Sequence, residues 1–281
     1  MNFVKVINKE YSVLMSVYYK ENAKWFEESI QSMFMQTIQP KEFVLVEDGK
    51  LTEELENVVK KYKKKYPKIM KVVKLDENVG LGPALQRGVK ECSCEYIARM
   101  DSDDYSVPNR IEKEFEIFEK DSTIGMVGSN VSEFIDNIQN VICNVVLPEE
   151  NEDIIRFSKK RNPFRHPSVM FKKSEVIKAE NYREYYLCED YDMWLRMIRN
   201  NCKCYNIQEN LVYMRISDDF YKRRGGIKYL KSINKFKKEQ MTLGYFTKME
   251  YLKSIIPHAI VCLMPNFMRD LIYKKLLRKS K

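Results

Sequence analysis

The chain has 281 residues, 44% of them hydrophobic and 32% charged, and its 49 Lys and Arg outweigh 40 Asp and Glu for a formal charge of +9. That composition excludes global disorder and allows one large domain, or one domain with a small appendage. No apolar run approaches the ~18 residues of a membrane span, and the first residues lack a signal peptide's apolar run and cleavage site, so neither feature is expected.

In chain order, 11–17 reads as a buried strand. A helix follows over 22–36 with Phe26, Ile30, Met33 and Phe34 on one face. A strand over 42–46 ends in Glu47-Asp48-Gly49. A lysine-rich amphipathic helix over 52–66 is marked by Leu55, Val58, Val59 and Tyr62 and stopped by Pro67. A strand over 69–75, a helix over 81–90 and a strand over 95–100 come next. Asp101-Ser102-Asp103-Asp104 closes that last strand. Pro108 fits the first position of a helix carrying Ile111, Phe115 and Phe118. The alternation predicts an α/β chain with a Rossmann-like, mostly parallel central sheet covered by helices on both faces. Ligands in such sheets bind beyond the carboxyl ends of the strands, where both acidic clusters fall.

The second half reads as less regular. Strands are expected over 125–129 and 141–146, and a loop over 162–167 leads into 168–171. Residues 189–199 read as a helix, 211–215 as a strand, and 227–243 as a basic amphipathic helix. There is no internal repeat and no linker long enough to separate independent domains.

The seven cysteines (Cys92, Cys94, Cys143, Cys188, Cys202, Cys204 and Cys262) are odd in number and include two Cys-x-Cys pairs. Structural zinc favours Cys-x-x-Cys, so these read as reduced core thiols in a cytosolic setting. Asp-x-Asp at a strand end can approach one magnesium or manganese ion, which would neutralise a departing diphosphate. The competing reading is an acidic turn capping the next helix.

The motifs together resemble those of the inverting family 2 of nucleotide-sugar glycosyltransferases, which have the GT-A fold. Ser12 to Tyr18, Ser29 to Thr37, Phe43 to Gly49, Asn78-Val79-Gly80-Leu81-Gly82 and Asp101 to Asp104 carry the match. The resemblance implies that Asp48 contacts the nucleotide base, with Glu47 standing where the family usually has aspartate. It implies that Asn78 belongs to the donor side, that Asp101 lies near the ribose and sugar, and that Asp103 is the main protein ligand to Mn2+ or Mg2+. Arg87 is placed near the donor, with a surface ion pair as its other reading. Cys188 to Arg196 resembles the family's acidic pair and the helix after it. Asp190 is then the general base, Glu189 orients the acceptor or supports its loop, and Trp194 on the same helix supports the acceptor side; an acid-rich helix start is the plain alternative.

Arg165 to Phe171 resembles the branch that builds bacterial capsule and O-antigen polysaccharides. His166 is read as touching acceptor or diphosphate, or as a buried structural histidine. Residues 217–226 resemble that branch too; Arg223 and Arg224 would close over the donor diphosphate, or form a solvated basic turn. The expected organisation is a transferase domain over 1–225, with a donor half to about 130 and an acceptor half beyond it. A helical extension follows over 226–281. Its apolar stretch over 255–264 precedes Arg269, Lys274, Lys275, Arg278, Lys279 and Lys281, and either packs on the core or lies in a membrane interface. The expected donor is a UDP-hexose or UDP-N-acetylhexosamine, the acceptor a lipid-diphosphate-linked saccharide, and the location the cytoplasm or the cytoplasmic membrane face. The rivals are an inactive scaffold of the same fold, a nucleic-acid or anion binder, and a nucleotidyltransferase. No nucleic-acid motif is present, and the glycine-rich phosphate loop is missing after the first strand.

Overall fold

The computed structural model describes residues 8–216, 225–265 and 268. β1 (Tyr11–Val17) is buried along its whole length. It pairs in parallel with β2 (Glu42–Glu47) and β4 (Tyr96–Arg99), and β2 pairs in parallel with β3 (Met70–Lys74). Between these strands run α1 (Ala23–Phe34), α2 (Glu53–Lys65) and α3 (Leu81–Glu91). Asn22 caps α1 by accepting from the amides of Lys24 and Trp25. Thr52 caps α2, which has Glu53, Glu54 and Glu56 in its first turn and Lys63, Lys64 and Lys65 in its last, matching the helix dipole.

Side chains alternate across the sheet, so β1 feeds two cores. Val13, Met15 and Val17 join Phe26, Phe34, Phe43 and Phe115 on one face. Leu14 joins Val44, Val46, Leu85 and Trp194 on the other. α3 lies unusually close to the sheet. A Cβ on Gly88 would sit 2.3 Å from Leu14 Cδ1 and 2.9 Å from Val46 Cγ2, so a side chain there would force these core methyls to move.

Beyond β4 the sheet changes direction. β8 (Met170–Lys172) runs antiparallel to β4 and to β6 (Ile124–Phe134). β9 (Lys203–Arg215) is parallel to β6 and antiparallel to β5 (Tyr105–Ser106), and β7 (Val141–Val145) pairs with β6 off the main path. β9 is far longer than the expected strand. Its polar stretch hid it: Asn206 Nδ2 donates to the carbonyls of Pro148 (2.8 Å) and Pro163 (3.2 Å), and so is at home in a buried strand. α4 (Arg110–Lys120) starts later than the Pro108 expected from sequence, with Asn109 in the N-cap position. The Pro108 carbonyl accepts from the Thr37 amide at 2.8 Å instead of opening the helix ladder.

The remaining helices are α5 (Asn151–Ser158), α6 (Lys173–Lys178), α7 (Glu189–Arg199), α8 (Gly226–Thr242) and α9 (Lys248–Leu263). The last two pack on the core: the Phe236 ring of α8 lies 4.8 Å from Tyr191 and 5.9 Å from Tyr185, and Ile255 and Cys262 of α9 join the buried cluster around Trp194. All seven cysteines are buried and none forms a disulfide. Among the described residues no helix is long and apolar enough to cross a membrane.

Candidate active site

A cavity of about 1500 Å³ opens over the carboxyl ends of β1, β2 and β4. Its lining includes Asp48, Asn78, Asp101, Asp103, Asp104, His166, Glu189 and Asp190. Groups far apart in sequence are thus brought to one space.

Asp48 follows β2 and ties down the loop after β3. Its carboxylate accepts from the amides of Val79 (2.8 Å) and Gly80 (3.1 Å) and from Asn78 Nδ2 (3.0 Å). Gly49 turns the chain at φ +82, with the Asn78 amide pressed against the space a side chain would need. Burial pushes the Asp48 pKa above the usual carboxylate value, and the two amides pull it back.

Arg99 underlies the acidic turn and escaped the sequence reading. It is fully buried and ion-paired with Asp101, and its Nε and Nη1 find no partner among the described residues. Its charge opposes the upward shifts of Asp103, Asp104 and Glu189. Arg215 grips the same turn from β9. Its amide donates to Asp104 Oδ1 at 2.7 Å, its Nε donates to the Asp103 carbonyl at 3.0 Å, and its guanidinium lies 4.7 Å from the Trp25 ring centre. Asp104 is therefore a structural acceptor, and it caps the β9 backbone rather than α4.

Among the described residues no three His, Cys, Asp or Glu side chains converge into a metal cage. Burial, and then the charges of Glu21 and Asp101, push Asp103 up to about 8. That surplus of negative charge fits a hard divalent cation held by one or two carboxylates, with water and phosphate oxygens completing the shell.

Across the cavity, α7 begins with Glu189 and Asp190. Asn162 Nδ2 donates to Asp190 Oδ2 at 2.6 Å, and the Tyr191 amide lies 2.7 Å from Asp190 Oδ1. Asn162 was overlooked in the sequence because its partner lies 28 residues away. Burial, and then the charge of Asp190, push Glu189 up to about 8. His166 Nε2 lies 2.9 Å from the Tyr182 hydroxyl. Burial, followed by the Arg99 charge, drives the His166 pKa well below 6.5, so the ring is neutral at pH 7.

Three residues expected at the site are not brought to the cavity wall. Trp194 is fully buried, edge-on to Phe164, His166 and Tyr182, and supports His166 from behind. Glu47 is buried and paired with Lys74 at 2.9 Å. Arg87 is exposed and paired with Glu91 at 2.8 Å, one helical turn on. Arg223 and Arg224 lie outside the described residues.

The sequence profile described as Glycosyl transferase family 2 matches residues 12–180. The chain belongs to that family. A galactosyltransferase of Escherichia coli, named UDP-Gal:alpha-D-GlcNAc-diphosphoundecaprenol beta-1,3-galactosyltransferase, is 37% identical over 96% of this chain and 97% of its own length. The amylovoran biosynthesis glycosyltransferase AmsE of Erwinia amylovora is 32% identical over 94% of this chain and 98% of its own. These relatives place this family 2 glycosyltransferase in the polysaccharide-building branch. The fold matches that of the Pyrobaculum calidifontis mannosyltransferase PcManGT, solved with GDP-Man and Mn2+, at a TM-score of 0.61 and 13% identity over 95% of this chain and 73% of that one. Staphylococcus aureus TarS in complex with UDP matches at a TM-score of 0.59 and 16% identity over 95% and 87%. Both are glycosyltransferases of the GT-A fold.

Proposed function

We propose that this glycosyltransferase moves a hexose or N-acetylhexosamine from a UDP-sugar to a hydroxyl of a lipid-diphosphate-linked saccharide, with inversion, during assembly of a bacterial surface polysaccharide. The observation that carries the reading is the placement of Asp190, hydrogen-bonded by Asn162, in one cavity with Asp101 and Asp103. The E. coli relative acts, by its name, on a GlcNAc-diphosphoundecaprenol, which supports the acceptor class.

Asp103, with Asp101 beside it, would hold Mn2+ or Mg2+. When bound, the cation offsets charge on the departing diphosphate. Asp101 is kept in place by Arg99, and Asp48 shapes the wall for the nucleotide. Asp190 takes the proton of the acceptor hydroxyl as its oxygen bonds to the anomeric carbon. The bond from that carbon to the phosphate oxygen breaks on the opposite face, so no covalent intermediate is required. The hydroxyl becomes acidic only as it bonds, so the position of Asp190 matters more than its basicity.

The outer face of α9 supports a peripheral location on the cytoplasmic membrane face. Met249, Leu252, Ile256, Ile260 and Leu263 are 45 to 62% exposed and fall on one stripe at helical spacing. Six Lys and Arg residues follow between 269 and 281. An apolar stripe beside a basic tail suits an anionic bilayer. Co-sedimentation with phosphatidylglycerol vesicles should fall when Ile256 and Ile260 are both changed to Glu; unchanged partitioning would remove the membrane from this reading.

The donor is tested by thermal unfolding against nucleotide sugars with and without Mn2+. Ligand bound only to the native state raises apparent stability. One UDP-sugar should raise it in a Mn2+-dependent way. A flat response from folded protein across the panel would sink the transferase reading.

A further inference from the structure

The cavity continues past Asp190 towards α8 and α9, where its lining includes Phe157, Arg161, Arg165, Tyr229, Ile233 and His258. Arg161 makes no ion pair with any described residue, and its charge bears on His258. Behind His258, Lys237 is fully buried, its Nζ 3.3 Å from His258 Nδ1 and 3.2 Å from the Ser254 carbonyl. Burial pushes Lys237 down to about 8, and burial followed by the Lys237 charge pushes His258 down to about 4.

The segment holding Arg161 is fixed from three sides. Tyr191 of α7 donates its hydroxyl to the Ser158 carbonyl. The hydroxyls of Ser158 and Tyr245 lie 2.6 Å apart. Lys159 pairs with Glu250 of α9 at 2.9 Å. The next residue after Arg161 is Asn162, which bonds to Asp190. Arg161, one residue before the Asn162 that holds Asp190, lines the same cavity, so an acceptor whose hydroxyl meets Asp190 occupies the space that Arg161 also borders.

We propose that Arg161 and His258, backed by Lys237, form an anion subsite that takes the diphosphate of the lipid-linked acceptor. This rests on the reading of Asp190 as the base. Guanidinium and phosphate make strong charge-assisted hydrogen bonds. The subsite is separate from the donor end, where Asp48, Asp101 and Asp103 stand. The same chemistry could come from the donor's own diphosphate, so the test separates the two sources.

The full chain is titrated calorimetrically with dodecyl diphosphate, once alone and once with saturating UDP and Mg2+. Binding is expected in both conditions. Arg161→Gln should weaken it about tenfold in both while leaving UDP affinity within about twofold, and Arg161→Lys should recover part of the loss. Absence of binding to the unaltered chain, displacement by UDP, or an unchanged affinity in Arg161→Gln would each overturn the proposal. A second arm measures transfer to two acceptors with the same sugar, one linked through an alkyl diphosphate and one a plain alkyl glycoside. Arg161→Gln should raise KM about tenfold for the first and leave it unchanged for the second; equal effects on both would count against the subsite. If neither acceptor is used but the calorimetric result holds, the subsite stands and the proposed reaction falls.

Discussion

The two ends of the cavity are built differently. The end proposed for the donor takes its side chains from the ends of two parallel strands, Asp48 after β2 and Asp101 to Asp104 after β4. The acceptor end gathers Asn162, His166, Glu189, Asp190 and His258 from a turn, two helices and the segments between them. A strand end is positioned by the sheet itself, through backbone pairing. At the other end Glu189, Asp190 and His258 ride on helices, and the turn that bears Asn162 is tied to them by side-chain bonds such as Asn162 to Asp190 and Lys159 to Glu250. The donor end is thus a property of the fold, while the acceptor end is a property of this chain's particular contacts.

The sharpest way to break the comparison is Asp190→Asn. It should lower kcat about 10³-fold, or about 4 kcal/mol, while donor affinity measured by calorimetry stays intact. Equal loss of donor binding would mean that the two ends are not separable.

Next in size is a pH effect confined to the acceptor end. The His258 pKa of about 4 lies below the ordinary 6.5, and His166 is shifted the same way. Between those values the unfolded chain binds protons that the folded chain refuses. Stability is therefore fully present above about pH 6.5 and is lost as pH falls towards 4, by on the order of 2 kcal/mol for His258 after allowance for its partial exposure. Urea unfolding of a His166→Gln, His258→Gln variant should show a flatter curve over that window; an identical slope would assign the loss to carboxylates elsewhere.

Asn162→Ala should reduce kcat about tenfold with little change in donor KM, since it removes one bond that positions Asp190. A larger rise in donor KM than fall in kcat would show that the turn serves the donor end instead. The smallest effect is expected from Arg87→Ala. Its exposed pair with Glu91 is worth under about 1 kcal/mol, and activity should stay within about twofold.

The placement of the acidic clusters was legible in the sequence because strand ends announce themselves. An apolar run followed by acids marks both the strand and its carboxyl terminus, and β1 matches its expected bounds residue for residue. A motif alone does not say where local pairing holds a side chain. Glu47 pairs with Lys74, and Arg87 pairs with Glu91, the surface ion pair that was its other expected reading. Trp194 sits one helical turn from Asp190 but faces the core. Arg99 left a signal, a charge inside the run Tyr96-Ile97-Ala98-Arg99-Met100, but its role depends on the pair with Asp101. Asn162 and His258 left none, because their meaning lies in partners that only the folded chain supplies.

An α-helix with its side chains is about 10 Å across. On α9, His258 falls half a turn away from Ile256 and Ile260, so the helix shows the cavity one side and the surroundings the other. Whatever rests against the outer stripe is then separated from the interior of the enzyme by the thickness of a single helix. α9 is thus a thin partition, and a tilt or displacement imposed on its outer side moves His258 directly, with no other element in between.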